Sequence, residues 1–150
     1  MPEKTSIPNG YHSVQPYLMF KKCAEAISFY TKAFGATERM RMPRPDGGIA
    51  HAEIQIGDCV LMMADEAPEM GAWSIEHFGG SPIALQIYTA DCDATYKQSL
   101  EAGATSVREP ADQPYGDRSA GIKDPSGYRW YISTHIKDVP VEEWTAHSGD

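Results

Sequence analysis

An internal repeat constrains the fold of this chain more than any other feature. The tripeptide Gly-Ala-Thr occurs at 35–37 and again at 103–105, 68 residues further on, and each copy follows a helix-like segment. Similar elements surround both copies at nearly the same offset. Self-similarity at a fixed period is typical of a duplicated structural unit, so we predict two related halves.

Each half begins with a strand-like run, at 16–20 and 83–88, and continues into a helix. In the first helix the apolar residues recur with the helical period and Gly35 follows as a left-handed cap. The stripe comprises Cys23, Ala26, Ile27, Tyr30 and Phe34. The second helix begins after the N-cap candidate Asp91, carries a weaker stripe and is closed by Gly103.

Three more strand-like runs follow each helix, at about 37–42, 51–56 and 59–64 and at about 105–109, 119–123 and 128–135. Each half is therefore βαβββ, and the chain is of the α+β class. We expect a single domain over 1–150, with a first module at 14–64, a connector at 65–81, a second module at 82–139 and a tail at 140–150. One helix covers only one face of a four-stranded sheet, so two such modules can enclose a pocket between their open faces.

Composition excludes several classes of partner. The chain carries 21 acidic and 13 basic residues, a net charge of -8, which repels nucleic acid and anionic membrane surfaces. The longest apolar run, 59–64, is far shorter than the roughly 20 residues of a membrane span. The three cysteines form no CxxC pair, which favours reduced thiols in a cytoplasmic protein.

The repeat resembles the vicinal oxygen chelate superfamily, which includes glyoxalase I, extradiol dioxygenases and bleomycin-resistance proteins. The matching segments are PYLMFKKCAEAISFYTKAFGA in the first half, and DCDATYKQSLEAGA and YGDRSAGIKDPSGYRWYISTHIKDV in the second. The chain is most similar to the PhnB-like branch, over about 14–139. This resemblance implies the glyoxalase/bleomycin resistance fold, in which two modules form a U-shaped, eight-stranded mixed sheet, often in homodimers, with the site inside the cup.

The resemblance also implies where a metal would be held. Metal-dependent members carry one ligand on the first and last strand of each module, and these positions correspond to Gln15, Met62, Ala84 and Tyr131 here. A thioether is a poor ligand for hard divalent ions, and a methyl group is no ligand at all. We therefore expect no metal and no other cofactor.

Strand geometry gives an independent prediction of the lining of the cup. A two-residue hairpin loop at Gly57-Asp58 places Glu53 opposite Met62 on one sheet face, together with His51 and Gln55. The same alternation directs further side chains to the cup. The expected lining is Gln15, Tyr17, Met19, His51, Glu53, Gln55, Val60, Met62, Ala64, Ala84, Gln86, Tyr88, Arg129, Tyr131 and Ser133.

Two pairs of residues are candidates for chemistry, one on the strand before the hairpin in the first half and one in the second half. His51 and Glu53 lie two apart on one strand and can act as an acid–base pair, as a polar binding group, or as ordinary surface residues. Tyr115 and Arg118 flank a glycine turn, where the guanidinium can hold an anionic ligand or simply pair with nearby acids. Trp130 alternates away from the cup and is expected in the core.

Four functions remain open at this point. The first is metal-free binding of a small amphipathic or aromatic molecule. The second is a metal-independent isomerase or lyase in which His51 and Glu53 move protons and Arg118 holds an anionic substrate. The third is an unorthodox metal site of His51, Glu53 and Gln15, and the fourth is a scaffold that uses only its dimer surface.

Overall fold

The computed structural model describes residues 6–145, and 146–150 of the predicted tail lie outside them. The elements are, in order, β1 (Tyr17–Phe20), α1 (Cys23–Phe34), β2 (Thr37–Pro43), β3 (Ile49–Ile56), β4 (Cys59–Asp65), α2 (Ile75–Phe78), β5 (Ala84–Tyr88), α3 (Cys92–Glu101), β6 (Thr105–Asp112), β7 (Asp117–Lys123) and β8 (Arg129–His135). Short 3-10 turns lie at Pro68–Met70 and Val141–Glu143. This order confirms the duplicated βαβββ pattern, with α2 in the connector.

The helix boundaries follow from their capping residues. Gly35 adopts the left-handed conformation, with φ 67°, and its N–H donates to the carbonyl of Thr31, which ends α1 as the sequence predicts. At the start of α3 the Asp91 side chain accepts a hydrogen bond from the backbone N–H of Ala94. The C-cap residue of α3 is Ala102, one residue before the predicted Gly103, which follows it with a φ of 116°.

The strands form two four-stranded sheets, in the orders β1-β4-β3-β2 and β5-β8-β7-β6. In each sheet the first pair is parallel and the other two are antiparallel. The β3–β4 hairpin has the expected register, with Glu53 opposite Met62 and Ile56 opposite Cys59. The fold class is therefore confirmed, although the eight strands are divided between two sheets rather than joined in one.

The two sheets share one hydrophobic core, which holds their helix-bearing faces together. Helices α1 and α3 contact each other, and the Gln98 amide donates to the backbone carbonyl of Lys32. Trp130 is buried, as expected, and its ring lies against Phe34 with centroids 4.8 Å apart. The modules of one chain thus pack through their helix sides, which leaves the other face of each sheet directed outward.

A buried polar contact crosses this core between the two modules. The Tyr30 hydroxyl of α1 donates to Oδ2 of Asp124 at 2.5 Å, and Trp130 Nε1 donates to the same oxygen at 3.1 Å. The other oxygen of Asp124 accepts backbone N–H groups of the turn at 126–128. Burial raises the pKa of Asp124, and these hydrogen bonds oppose that rise without cancelling it.

Two further features bear on what the molecule can contact. The sheet orders place β1 and β5 at sheet edges, each with one hydrogen-bonded neighbour strand. Within residues 6–145, no helix has both the length and the apolar character required to cross a lipid bilayer.

Candidate functional site

The outward face of the first sheet carries most of the side chains expected to line the cup. Tyr17 and Met62 are directly paired on β1 and β4, and Met62 also lies opposite Glu53 on β3. His51 and Gln55 share this face because side chains alternate along a strand. These five residues therefore share one face of the first sheet, as strand alternation predicts.

A hydrogen-bonded cluster is centred on Glu53, whose residue surface is only 7% exposed. Its Oε1 accepts a short hydrogen bond from the hydroxyl of Tyr11, and its Oε2 lies 2.9 Å from His51 Nε2. Arg39 Nε is 3.8 Å from Oε1. The other ring nitrogen of His51, Nδ1, lies 2.7 Å from the hydroxyl of Tyr17. Four side chains therefore form one chain of contacts, Tyr17–His51–Glu53–Tyr11.

The chemistry of the acceptors fixes the protons in this cluster. An ionised carboxylate only accepts, so the contact with Glu53 requires a proton on His51 Nε2. In the neutral imidazole Nδ1 then accepts the hydroxyl proton of Tyr17. The sequence could place His51 near Glu53, and the structure adds that the pair is linked to a tyrosine on a neighbouring strand.

The electrostatic balance keeps the acid ionised and the phenols neutral. Burial alone would raise the pKa of Glu53, but the hydrogen bonds from Tyr11 and His51 and the positive charge of Arg39 outweigh it, so this pKa is lowered. The hydrogen bond to Glu53 raises the pKa of Tyr11. Burial raises the pKa of Tyr17, and the negative charge of Glu53 adds to that rise.

Thioether side chains surround this polar cluster. Strand β2 lies beside β3 with Met40 opposite Glu53 and Met42 opposite His51. Met19 follows Tyr17 by two residues on β1 and therefore lies on the same face as Met62. Methionine is flexible and polarisable, which suits surfaces that adapt to ligands of different shape.

A cavity of about 400 Å³ adjoins the face at Tyr17 and Met19. The connector closes its other side with the aromatic rings of Trp73 and Phe78, and Tyr128 completes the apolar wall. Trp73 stacks on His77 with ring centroids 3.9 Å apart, so its indole is held rather than free to rotate. Tyr17 thus belongs both to this aromatic cavity and to the chain of contacts that ends at Glu53.

The outward face of the second sheet carries its own polar network. Gln86 Nε2 donates to Ser133 Oγ at 2.9 Å, Ser133 donates to Ser119, and Arg108 Nη2 also donates to Ser119 at 2.9 Å. The guanidinium of Arg108 lies over the ring of Tyr131, 5.5 Å from its centroid. Gln86 and Tyr131 are directly paired, as the predicted face requires.

Further along this face the Tyr88 hydroxyl donates to Asp117, whose other oxygen is 2.8 Å from His135 Nδ1. A second cavity of about 390 Å³ is lined by Lys123, Arg129 and Tyr131. Gly80, Ser81 and Pro82 are the residues that this cavity shares with the first one. The sequence predicted one cup lined by both modules, whereas within this chain the two faces line separate, adjoining cavities.

Two of the expected ligand-binding residues lie elsewhere. Arg118 is on the helix-bearing face of β7, where its guanidinium bonds Asp93 of α3 at 2.7 Å and Asp112 at 3.0 Å. The guanidinium is therefore engaged in local ion pairs, the arrangement that the sequence offers as the alternative to holding an anion. Tyr115 lies in the β6–β7 turn beside Trp144, with ring centroids 5.9 Å apart, away from both cavities.

Comparison with known proteins decides the family. Residues 12–132 match the sequence profile of the Glyoxalase/Bleomycin resistance protein/Dioxygenase superfamily. The chain belongs to this superfamily. It is 37% identical over 134 residues to an uncharacterized protein of Mycobacterium bovis, covering 87% of this chain and 88% of that protein. An uncharacterized protein of Mycobacterium tuberculosis is equally similar, with 79% of its length covered.

Solved structures of other proteins share this fold. TioX from Micromonospora sp. ML1 superposes with a TM-score of 0.65 at 22% identity, over 85% of this chain and 99% of that one. A protein from Bacillus cereus described as a putative 3-demethylubiquinone-9 3-methyltransferase, PhnB protein, gives a TM-score of 0.65 at 16% identity, over 82% and 99%. At these identities the likeness shows the fold alone.

The four positions that the family resemblance assigns to metal ligands are occupied by poor ligands here. Gln15 could ligate, but its Oε1 already accepts the backbone N–H of His12 at 2.6 Å. Met62 offers a thioether and Ala84 no donor, and a Tyr131 phenol is a weak ligand while protonated. This donor set does not fit the divalent ion of the metal-dependent members, and no chemical step is assigned to such an ion.

Sequence reasoning missed Tyr11, Arg39, Met40 and Met42. Tyr11 lies in an irregular segment before β1, where no periodicity assigns a direction to a side chain. The register of β2 on β3 shifts between Glu38 and Met40, so simple alternation fails at Arg39. Met40 and Met42 could be assigned to this face only if the register of β2 on β3 were known. The connecting residues 44–48 do not determine that register from the sequence.

Proposed function

We propose that this protein binds a small amphipathic molecule with an aromatic part at the outward face of the first module, without a metal ion. The observation that carries the proposal is the double role of Tyr17, whose ring lines the aromatic cavity and whose hydroxyl contacts His51. A ligand in this cavity meets an apolar wall and a hydrogen-bonding group at the same place. Small-molecule binding is typical of the superfamily.

The chemistry of the lining supports a ligand with an aromatic group. Trp73, Phe78 and Tyr128 present rings and Met19 a thioether, a combination that favours flat, polarisable molecules. Small-molecule sites are mostly apolar with a few convergent polar groups, and Tyr17 with His51 supplies such groups. The cavity of about 400 Å³ is within the usual size range of a ligand site.

The adjoining cavity of the second module favours a ligand that has an anionic group at one end. Lys123 and Arg129 are cross-strand neighbours on β7 and β8 and both line that cavity. Opposed cations of this kind favour a carboxylate or a similar anion. They replace Arg118 as the candidate anion-binding residues.

We also propose a homodimer in which the outward face of the first module meets the second module of another copy. Both faces carry large exposed apolar side chains, with Tyr17 49%, Met42 52% and Tyr88 62% exposed. Exposed apolar groups and open sheet edges favour association with another chain. Such a dimer would enclose the two half-sites in one cup, and sedimentation equilibrium at micromolar concentration should give twice the mass of the chain.

The cytoplasmic location expected from the sequence also remains a proposal. Its support is that Cys23, Cys59 and Cys92 are all free thiols, as is usual in reducing compartments.

The contact of 2.9 Å between His51 and Glu53 favours a second candidate, a metal-independent isomerase or lyase. In this mechanism the Tyr17 side chain contacts the substrate. His51 Nδ1 accepts the hydroxyl proton of Tyr17, and Glu53 stabilises the imidazolium that results. The raised pKa of Tyr17 opposes loss of that proton. Binding is therefore the first candidate and proton transfer the second.

A thermal-shift screen of aromatic carboxylates tests the binding proposal. A ligand present at 100 times its dissociation constant stabilises the folded chain by about 2.7 kcal/mol. Tyr17→Ala should abolish the shift of each hit, while Tyr96→Phe on α3, outside both cavities, should preserve it. Hits that stabilise Tyr17→Ala as strongly as the wild type would place binding elsewhere, and a screen without hits would contradict the proposed ligand class.

A further inference from the structure

A second group of ligating side chains lies outside the outward faces, where the segment before β1 meets the β3–β4 hairpin. Single donor atoms of His12, Asp58 and Cys59 all lie within 4.8 Å of one another, and all three residues are exposed. None of them is at a position that holds metal in the superfamily. We propose that this cluster binds a divalent transition metal ion of the zinc type.

The donor set selects this class of ion. Zinc takes imidazole nitrogen, thiolate sulfur and carboxylate oxygen at about 2.0–2.3 Å in tetrahedral geometry. Hard ions such as magnesium and calcium prefer oxygen alone, so one nitrogen and one sulfur among three donors argue against them. Tetrahedral bonds of that length separate ligand atoms by roughly 3–4 Å, which small side-chain rotations from the observed spacing can reach. The three side chains leave the fourth position for water.

The backbone already holds the donors near this arrangement. Cys59 is the first residue of β4 and is paired with Ile56 across the Gly57-Asp58 turn, so the turn is fixed by the sheet. Cys59 Sγ lies 3.4 Å from Oδ1 of Asp58. His12 Nε2 is 3.0 Å from the backbone carbonyl of Asp58, so the ring already faces the turn.

A second hydrogen bond restrains the backbone of His12. Its backbone N–H donates to Gln15 Oε1 at 2.6 Å, which limits the conformations of the segment before β1. Binding therefore requires exchange of the contact between the imidazole and the Asp58 carbonyl for a bond to the ion. It requires no rearrangement of the hairpin.

Only one of the three thiols is suited to this role. Cys59 is exposed, whereas Cys23 and Cys92 are buried. Burial raises the pKa of Cys23 to about 12 and that of Cys92 to about 11, which keeps both protonated. Partial desolvation and the contact with Asp58 also raise the pKa of Cys59, although less than burial does for the other two thiols, so the ion must displace its proton and binding should strengthen with rising pH.

An ion at this cluster would also act on the proposed ligand site. Tyr11 immediately precedes His12, and its hydroxyl donates to Glu53. Holding His12 on the hairpin therefore holds Tyr11 on the Glu53 cluster. Ion binding does not depend on the proposed ligand, so either proposal can fail alone.

Cobalt(II) is the spectroscopic probe for this site. Titration of the reduced wild-type chain with cobalt(II), in a phosphine reductant, should produce a thiolate-to-cobalt charge-transfer band that saturates at one ion per chain and is removed by zinc. Cys59→Ser should abolish the band. His12→Gln should weaken the affinity for the ion by at least about 10-fold, since substitutions of residues outside the ligand set already weaken metal affinity by about 10–100-fold.

Cys92→Ser is the matched control and should retain the band, with Cys23→Ala as the substitute if that variant does not fold by circular dichroism. Absence of the band in the folded wild type would overturn the proposal. Persistence of an undiminished band in either Cys59→Ser or His12→Gln would overturn it as well, because the ion would then be held by other residues.

Discussion

Replacing Tyr30 by phenylalanine removes one oxygen atom from the contact between the two modules. The side chain is fully buried, and its hydroxyl donates to Asp124, which is 4% exposed. A hydrogen bond to a charged group contributes about 1.5–3 kcal/mol. In a chain of this length that loss lowers the melting temperature by roughly 3–12 °C.

The pH dependence of this loss follows from the pKa of Asp124. This pKa is raised above its ordinary 3.8 by burial, so the folded chain binds the proton more tightly than the unfolded chain, and stability falls as pH rises through that window. The bond from Tyr30 lowers this pKa, and removing it raises the pKa further. Tyr30→Phe should therefore be more destabilising at pH 7 than at pH 4.

Urea unfolding followed by tryptophan fluorescence at both pH values measures the two effects. Tyr96→Phe is the matched control, because its hydroxyl donates to Ser106 on the surface at 2.7 Å and its loss should cost no more than about 0.5 kcal/mol. The reasoning is refuted if Tyr30→Phe is also within about 0.5 kcal/mol of the wild type at pH 7, or if its cost is the same at pH 4.

Three further predictions follow from individual contacts. Glu53→Gln should lower stability at neutral pH, and its difference from the wild type should shrink as pH falls below 4.5, because the lowered pKa of Glu53 contributes stability that protonation removes; urea unfolding at pH 7 and pH 3 measures this, and a difference that grows in acid contradicts it. Gly116→Ala should cost roughly 1–3 kcal/mol or more in thermal unfolding, because φ is +102° and the new Cβ would lie 2.0 Å from the carbonyl oxygen of Lys137; a stable variant would refute this placement. Arg118→Gln should leave the affinity for any hit that depends on Tyr17 unchanged by calorimetry, since the guanidinium lies on the other sheet face, and a large loss would restore it to the site.

The sequence was informative wherever a local rule determines geometry. The repeated Gly-Ala-Thr gave the module order, and the two-residue turn gave the opposition of Glu53 and Met62. The alternation along β3 gave the shared face of His51 and Glu53, since residues two apart on a strand point the same way. These rules act over a few residues and do not depend on how the modules are packed.

The remaining features depend on long-range packing. The sequence predicts a strand from 119, whereas β7 begins at Asp117, so the predicted alternation gave no direction for Arg118. Its position opposite α3 is decided by how that helix crosses the sheet. Tyr11 reaches Glu53 from an irregular segment 42 residues away. The division into two outward faces depends on the contact between α1 and α3, which no sequence spacing reveals.

The central claim is that a small amphipathic molecule binds beside Tyr17 on the methionine-rich face. Methyl NMR of chain labelled with ¹³C-methyl methionine, titrated with the strongest aromatic carboxylate of the screen, tests it most directly. Met19 lines the cavity and Met62 is paired with Tyr17, so both methyl signals should shift. Met63, buried on the opposite face, and Met70, 81% exposed in the connector, should remain in place. Shifts confined to Met63 or Met70, with Met19 and Met62 unchanged, would contradict the account.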